Sequence, residues 1–325
     1  MHKVSAVMSV FNGERFLAEV IESVLCQTYE DFRFIIVDDG STDRSEQIIR
    51  GYKDPRIRLI KLKENVGLPA ALNRGIKLSD AQYIARVDAD DPSFPDRFEK
   101  QVRFLDTHPD ILVVGGAVVV VSEAGRRLCV LRHPCAPEEI QEALSKHNCI
   151  FHSAAMMRRS AFEKVGGYRE QFLYAQDGDL WLRMSECGSL ANLEEVIVRR
   201  TFRVDSPSLG RWYIQKMFSD AARELAEQRR VHGQDELERT GQFAALEAAH
   251  RTFEEPVRRR QFSDSCLHWA RFFYYQGCRQ ETLRLISVAL ARFPANAGIY
   301  RFAGTIARNK LKGLLLRGRG RARCA

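Results

Sequence analysis

The sequence predicts an α/β fold: a mostly parallel sheet covered by helices on both faces, followed by an all-helical extension. Short runs rich in Val, Ile and Phe alternate with helical periodicities as far as His108, the signature of strand–helix–strand units. After Ile111 a hairpin-like pair of strands opens a second half of mixed strands and helices. Beyond Asp205-Ser-Pro-Ser-Leu-Gly210, which reads as a linker, the chain is helical and richly charged.

Taken in order, Val4–Val10 reads as a strand, and Glu14–Leu25 gathers Phe16, Leu17, Val20, Ile21, Val24 and Leu25 on one helical face. Phe34–Val37 is a second strand, closed by Asp38-Asp-Gly-Ser-Thr-Asp43. Asp43 with Glu46 marks a helix start, and that helix runs to Gly51. Ile57–Leu62 is a strand, Leu68–Leu78 a helix, and Tyr83–Val87 a strand ending in Asp88-Ala-Asp-Asp91. Pro95 suits the first turn of a helix reaching His108. Ile111–Val121 and Arg127–Leu131 flank a Ser-Glu-Ala-Gly turn as a hairpin. A helix over Glu138–Leu144, a strand over Ile150–Met157, a short helix ending at Gly166-Gly167, a helix from Gly178 and a strand over Val196–Phe202 follow. Within the extension, residues 262–294 show a tetratricopeptide-like spacing of Ala270, Phe273, Gly277, Ile286, Ala289 and Pro294. One such repeat cannot bury its own faces, so it reads as a helical hairpin packed on something else, and an ordinary helical pair fits equally.

At 325 residues the chain has room for one large domain and a smaller one. No apolar run reaches the length of a membrane span, and the N-terminus enters a strand pattern at once, which speaks against a secretory signal. The eight cysteines are scattered with no CxxC pair. This favours reduced thiols in the cytoplasm over a disulfide framework or zinc site. From Arg301 to the end there are eight Lys or Arg and no acid, equal to the whole net charge of +8. The body is therefore balanced and not a nucleic-acid surface by composition. The basic tail reads either as a solvated end or as a contact with an anionic membrane surface, peripheral at its inner face.

Ligands of open α/β sheets bind beyond the carboxyl ends of the strands. Two acidic clusters sit at such ends, Asp38-Asp39 and Asp88/Asp90/Asp91. Asp88-x-Asp90 places two carboxylates close enough to share a divalent ion, and hard cations such as Mg²⁺ or Mn²⁺ bridge carboxylates to substrate phosphates. A merely capped turn before Pro92 is the competing reading. No Gly-rich phosphate cradle is present, so a bound diphosphate needs metal and cationic side chains; Arg86 and Arg74 are the candidates.

Several strings resemble the family 2 glycosyltransferases in order and spacing. They are Val4-Ser-Ala-Val-Met-Ser-Val-Phe-Asn-Gly-Glu14, Gln27-Thr-Tyr, Asp38-Asp-Gly-Ser-Thr-Asp43, Asn65-Val-Gly67, Ile84-Ala-Arg-Val-Asp-Ala-Asp-Asp91, Pro95-Asp-Arg97, His152-Ser-Ala-Ala-Met156, Val165-Gly-Gly-Tyr168 and Asp177-Gly-Asp-Leu-Trp-Leu-Arg183. The resemblance spans residues 1–204 and implies a GT-A fold, with inverting transfer from a nucleotide diphosphate sugar, a UDP-sugar foremost. It implies nucleotide contacts for Ser9, Phe11, Glu14 and Asp39, metal binding dependent on Mn²⁺ or Mg²⁺ for Asp88 and Asp90, with Asp90 the direct ligand, and a place near the donor or metal for His152. Asp177 is implied as the catalytic base. Ser9 stands where the family usually has proline. Gln176-Asp177 stands where it usually has an acidic pair, which leaves only Asp179 as another acid at that spot. The acceptor, whether carbohydrate, lipid-linked or protein, is left open, with surface polysaccharide, lipopolysaccharide or glycoprotein glycan synthesis as the family-level role. A catalytically silent nucleotide-sugar-binding or scaffold protein is the alternative from a different class.

Overall fold

The structure, a computed structural model, describes residues 2–204, 209, 211–254 and 259–308. The expected linker, apart from Leu209, and the basic tail over 311–325 lie outside the described residues. Two compact units are distinguished: residues 1–202 with 214–253, and residues 203–213 with the chain from 254 onward.

The first unit is built on one sheet of strands β1 (Val4–Val10), β2 (Phe32–Asp38), β3 (Ile57–Lys61), β4 (Tyr83–Asp88), β5 (Ile111–Ser122), β6 (Arg127–Leu131), β7 (Met156–Arg158) and β8 (Ser189–Phe202). Its order is β3-β2-β1-β4-β7-β5-β6, and β8 pairs with β5. The four strands β3-β2-β1-β4 run parallel, as crossover helices demand. β7 joins β4 and β5 antiparallel, and β6 returns from β5 as the expected hairpin.

The helices between them are α1 (Leu17–Leu25), α2 (Ser45–Gly51), α3 (Leu68–Lys77), α4 (Arg97–Thr107), α5 (Pro137–Leu144), α6 (Arg159–Lys164) and α7 (Gln176–Ser185). Alternation along the buried strands divides the core in two. Ala6, Met8 and Val10 of β1 face Leu17, Val20 and Ile21 of α1 and Phe98 and Val102 of α4. Val7, between them in sequence, joins Ile35, Val37 and Ile84 against Ala71, Leu72 and Ile76 of α3 and Leu180, Trp181 and Met184 of α7. Both faces are thereby covered, which leaves the strand ends as the place for a ligand.

The expected strand over Ile150–Met157 is replaced by a 3-10 turn at His152–Ala154 and the short β7. The reason is non-local. The carbonyl of Ala154 accepts from Gln101 Nε2 (2.8 Å), and that of Ala155 accepts from Arg97 Nη2 (3.2 Å) and the Arg86 amide (2.9 Å). Side chains of α4 thus take the Ala154 carbonyl and share that of Ala155, whose one backbone bond to β4 is kept.

Helices α8 (Trp212–His232), α9 (Glu236–Thr240) and α10 (Ala244–Glu254) follow. The sequence groups these residues with the extension, whereas residues 214–253 belong to the sheet-bearing unit. Phe218 of α8 is buried against Phe172 and Tyr174, and Arg169 pairs with Asp235 and Glu238. Such contacts depend on partners distant in sequence and leave no mark in local periodicity.

In the second unit α11 (Arg259–Tyr275) and α12 (Arg279–Arg292) pack on one another. Gly277 lies between them at φ +76°, and Ala270, Phe273, Leu285 and Ala289 are buried. Ile286 is only half-buried, Leu285 taking the inner position. Among the described residues no helix is long and apolar enough to cross a membrane.

Candidate active site

Register brings the acidic ends together. Ser9, buried near the end of β1, is paired with Val37 of β2 on one side and Asp88 of β4 on the other. The loops leaving β1 and β2 are stapled to each other. Asn12 Oδ1 accepts from the Thr42 amide (2.8 Å), while the Gly13 amide donates to Ser45 Oγ (2.9 Å) and the Glu14 amide to Asp43 Oδ2 (3.0 Å). Phe11 stands half exposed at the head of this loop. The Glu14 carboxylate accepts from the amide and the Nε of Arg44, at 3.0 and 3.1 Å.

Asp39 is 2% exposed, and its two oxygens accept from the amides of Val66 (2.8 Å) and Gly67 (3.1 Å). It thus clamps the loop before α3 onto the end of β2. Gly40 makes this approach possible: at φ +74°, a Cβ there would lie 2.6 Å from the Glu64 carbonyl carbon and 2.8 Å from the Asn65 nitrogen.

At the end of β4 the Arg86 side chain is 1% exposed and its Nη2 lies 2.6 Å from Asp88 Oδ1, with a second bond to the Val87 carbonyl. Burial works to raise the Asp88 carboxyl, but the charges around it, Arg86 foremost, outweigh that and hold it below the usual carboxylate range. Asp90 is half-buried on the turn beyond. Asp91 is buried and pushed up to about 7, by burial first and by its neighbours Asp90 and Asp88; Arg200 and a hydrogen bond from Ser153 oppose the rise. Arg74 lies exposed on α3.

His152 opens the 3-10 turn beside this cluster, with Nε2 2.7 Å from the Tyr168 hydroxyl. Burial, reinforced by Arg86, lowers the imidazole to about 3, and burial raises the Tyr168 phenol. A neutral ring and a neutral phenol therefore share that bond at physiological pH.

Asp177 lies in the first turn of α7, half-buried, and Asn148 Nδ2 donates to its Oδ2 at 2.7 Å. Its carboxyl is raised by burial, with the charge of Asp88 adding, against hydrogen bonds from the Gly178 amide and Asn148. That electrostatic coupling to Asp88 puts the two acids, 89 residues apart, in one neighbourhood. Asp179 is fully buried between Arg183 (2.6 Å) and Arg169 (3.3 Å), so it is spent on ion pairs, whereas Asp177 is half-buried.

The structure thus gathers Arg86, Asp88, Asp90, His152 and Asp177 and keeps Ser9 and Asp39 on the same sheet edge, with Arg74 exposed on α3. It adds residues that sequence reasoning missed. Tyr168 and Arg97 were visible only as members of quoted strings, and Asn148 and Arg200 carried no local signal. Arg97 is wholly buried, donating to the Arg86 carbonyl (2.7 Å), the Ala155 carbonyl and Ser93 Oγ (3.0 Å); burial lowers its pKa to about 9.

Among the described residues no group of three or more His, Cys, Asp or Glu side chains stands together as a ready metal cage. The donors present are the anionic carboxylate of Asp88 and a second, Asp90, on the turn beyond, while His152 Nε2 is taken by the Tyr168 hydroxyl. This set fits a hard divalent ion that completes its shell with substrate phosphate oxygens.

Comparison with known proteins agrees with this architecture. Residues 5–166 match the family described as Glycosyl transferase family 2. The putative glycosyltransferase EpsE of Bacillus subtilis is 40% identical over 215 residues, covering 64% of this chain and 76% of that protein. The amylovoran biosynthesis glycosyltransferase AmsE of Erwinia amylovora is 30% identical over 200 residues, 60% of this chain and 74% of AmsE. Among solved structures, the mannosyltransferase PcManGT of Pyrobaculum calidifontis, in complex with GDP-Man and Mn²⁺, superposes with a TM-score of 0.53 at 16% identity, covering 91% of this chain and 87% of that one. At that identity the likeness establishes the GT-A fold. With the sheet, the helices and relatives of this similarity in hand, the chain belongs to the family 2 glycosyltransferases.

Proposed function

We propose that the chain transfers a sugar from a nucleotide diphosphate sugar to an acceptor hydroxyl with inversion, using Mn²⁺ or Mg²⁺. The observation that carries this reading is the pairing of Asp88, held anionic at the end of β4, with Asp177, a raised and half-buried carboxyl on a different element coupled to it. Inversion in one displacement needs a base on the face opposite the leaving group. The acceptor oxygen attacks the anomeric carbon, the bond to the diphosphate oxygen breaks with its electron pair, and Asp177 takes the acceptor proton. When bound at Asp90 and Asp88, the metal supplies positive charge against the charge developing on the departing diphosphate. Arg86 keeps Asp88 ionised and oriented, while Asp39 holds the loop that, with Ser9, Phe11 and Glu14, borders the nucleotide. A neighbour solved with GDP-Man and Mn²⁺ supports the donor class and the metal. The relative named for amylovoran biosynthesis supports a role in surface polysaccharide synthesis.

The test is calorimetric titration of UDP, GDP and dTDP and their sugars with and without Mn²⁺, alongside turnover. Metal-dependent binding of at least one nucleotide is expected, lost in Asp90→Ala. Asp177→Asn is expected to bind donor as the unaltered chain does while turnover falls by about 10²–10⁴-fold. Binding that ignores both the metal and Asp90 removes this reading. Intact binding with no turnover by the unaltered chain instead favours a catalytically silent nucleotide-sugar-binding protein.

A further inference from the structure

A cavity of about 810 Å³ opens in the sheet-bearing unit between the segment that follows β6 and the middle of β8, lined by Arg132, His133, Cys135, Leu193, Glu194 and Glu195. That volume falls within the range of small-ligand sites. Its two walls are tied to each other. Asn192 Nδ2 donates to the Pro134 carbonyl (2.7 Å), the Asn192 amide to the Cys135 carbonyl (3.3 Å), and Arg132 to the Glu194 carbonyl. The wall from β8 lies where its register with β5 shifts, between Gly116 and Ala117, so the strand turns out of the regular ladder there.

One residue of this cavity lies beside the two segments that carry site residues. The His133 ring lies 4.4 Å from that of Phe151 and 6.4 Å from that of His147, centroid to centroid. Phe151 immediately precedes His152, on the Asp88 side. His147 immediately precedes Asn148, whose amide holds Asp177. The cavity wall therefore packs against the residue before His152 and lies beside the residue before Asn148, one step along the chain from each.

We infer that this cavity is the acceptor subsite and that it takes an uncharged, hydroxyl-rich glycan; the inference rests on the transfer reading above. Glu194 and Glu195 are exposed carboxylates that accept hydrogen bonds from sugar hydroxyls and repel uronate, sulfate or phosphate groups. Arg132 spends one N–H on the Glu194 carbonyl, and its single positive charge is outnumbered by the two carboxylates. Leu193 and the His133 ring offer apolar surface to the C–H face of a sugar. The ring is uncharged at neutral pH, because burial first, and His147 second, lower it to about 4.

Cys135, half-buried in the wall, gives a reading independent of turnover. In a full-length chain with Cys26, Cys187, Cys278 and Cys324 replaced by Ser, the rate of Cys135 alkylation by iodoacetamide is followed by mass spectrometry. The probes are neutral methyl glycosides and disaccharides of glucose, galactose, rhamnose and N-acetylglucosamine, with methyl glucuronide as the anionic control. Severalfold protection by at least one neutral probe, none by the glucuronide, and weakened protection in the Glu194→Gln/Glu195→Gln variant are expected. Absence of protection by every neutral probe, equal protection by the glucuronide, or unchanged protection in the double variant overturns the inference. Nucleotide titration with Mn²⁺ in the same protein tests the donor reading separately, so the two fail in distinguishable ways.

Discussion

Asp177 follows Ala175, whose φ of +53° lies in the left-handed region that an alanine adopts at a cost of about 1 kcal/mol. That kink aims the first turn of α7, and Asn148 then fixes one carboxylate oxygen. The direction of the Asp177 shift sets a pH prediction. If Asp177 is the base proposed above, it is protonated and idle below its raised pKa, so kcat/KM rises with pH through a limb above the ordinary carboxylate range. The hydrogen bond from Asn148 favours the charged form, so Asn148→Ala moves that limb to higher pH and lowers kcat, whereas Asn148→Asp adds a competing charge and moves it further. A pH profile of Asn148→Ala that overlays the unaltered one removes Asn148 from this role. At this scale the sequence was informative where a residue belongs to a short string, as with Asp88, Asp90 and Asp177. It was silent about Asn148 and Arg200, whose meaning comes from partners dozens of residues away. It also left Asp179 open as a second acid, and only the ion pairs with Arg183 and Arg169 close that choice.

Among the elements, α4 acts as a clamp. Arg97 Nε donates to Gln101 Oε1 (3.0 Å), and Gln101 Nε2 donates to the carbonyls of Val114 on β5 (2.9 Å) and Ala154 on the 3-10 turn. Together the two side chains bind β4, β5 and the His152 turn at points where the parallel ladder gives way to antiparallel pairing. Arg97→Met should remove the side-chain donors to the Arg86 carbonyl and Gln101 Oε1 and one of the two donors to the Ala155 carbonyl, costing about 2–4 kcal/mol. It should also loosen the turn that carries His152. Urea denaturation checks the first effect, and amide exchange over residues 150–157 checks the second. A midpoint unchanged from the parent means the clamp is dispensable. The strand and helix positions were readable because buried strands alternate and helices repeat at their own period. The 3-10 turn was not, since it exists by virtue of Gln101 and Arg97 capturing its carbonyls, and a strand-like composition around Ile150–Met157 conceals that.

For the whole molecule, the sheet and the acidic cluster are complete by residue 202, yet the compact unit that contains them extends through residues 214–253. The contacts responsible converge on the segment that leads into the base helix. Phe218 buries itself against Phe172 and Tyr174, and His250 Nε2 lies 2.6 Å from the Gln171 carbonyl. Asp235 caps α9 and receives both Arg169 (2.7 Å) and Arg229, while Arg169 also reaches Asp179, two residues beyond Asp177. Local periodicity marks residues 214–253 only as charged helix and gives no sign that they brace the segment leading into α7. A chain ended after residue 204 should therefore keep its parallel strands but expose Phe172 and leave Arg169 with Asp179 alone. Losing the Phe218 contact costs about 2–3 kcal/mol. In the intact chain, Asp235→Ala should cost about 1–3 kcal/mol, because α9 loses its cap and Arg169 and Arg229 lose a shared partner while keeping Asp179, Glu238 and Glu186. The shorter chain should melt below the full one, with faster amide exchange over residues 169–180 than over β1 and β4. Transfer should fall more than metal-dependent nucleotide binding, since the donor side rests on the sheet and the base side on these helices. A chain ended after residue 253 should restore both properties. If the chain ended at 204 melts and exchanges as the one ended at 253 does, α8 to α10 are ornaments on the base segment and Asp177 is held by Asn148 and the core alone.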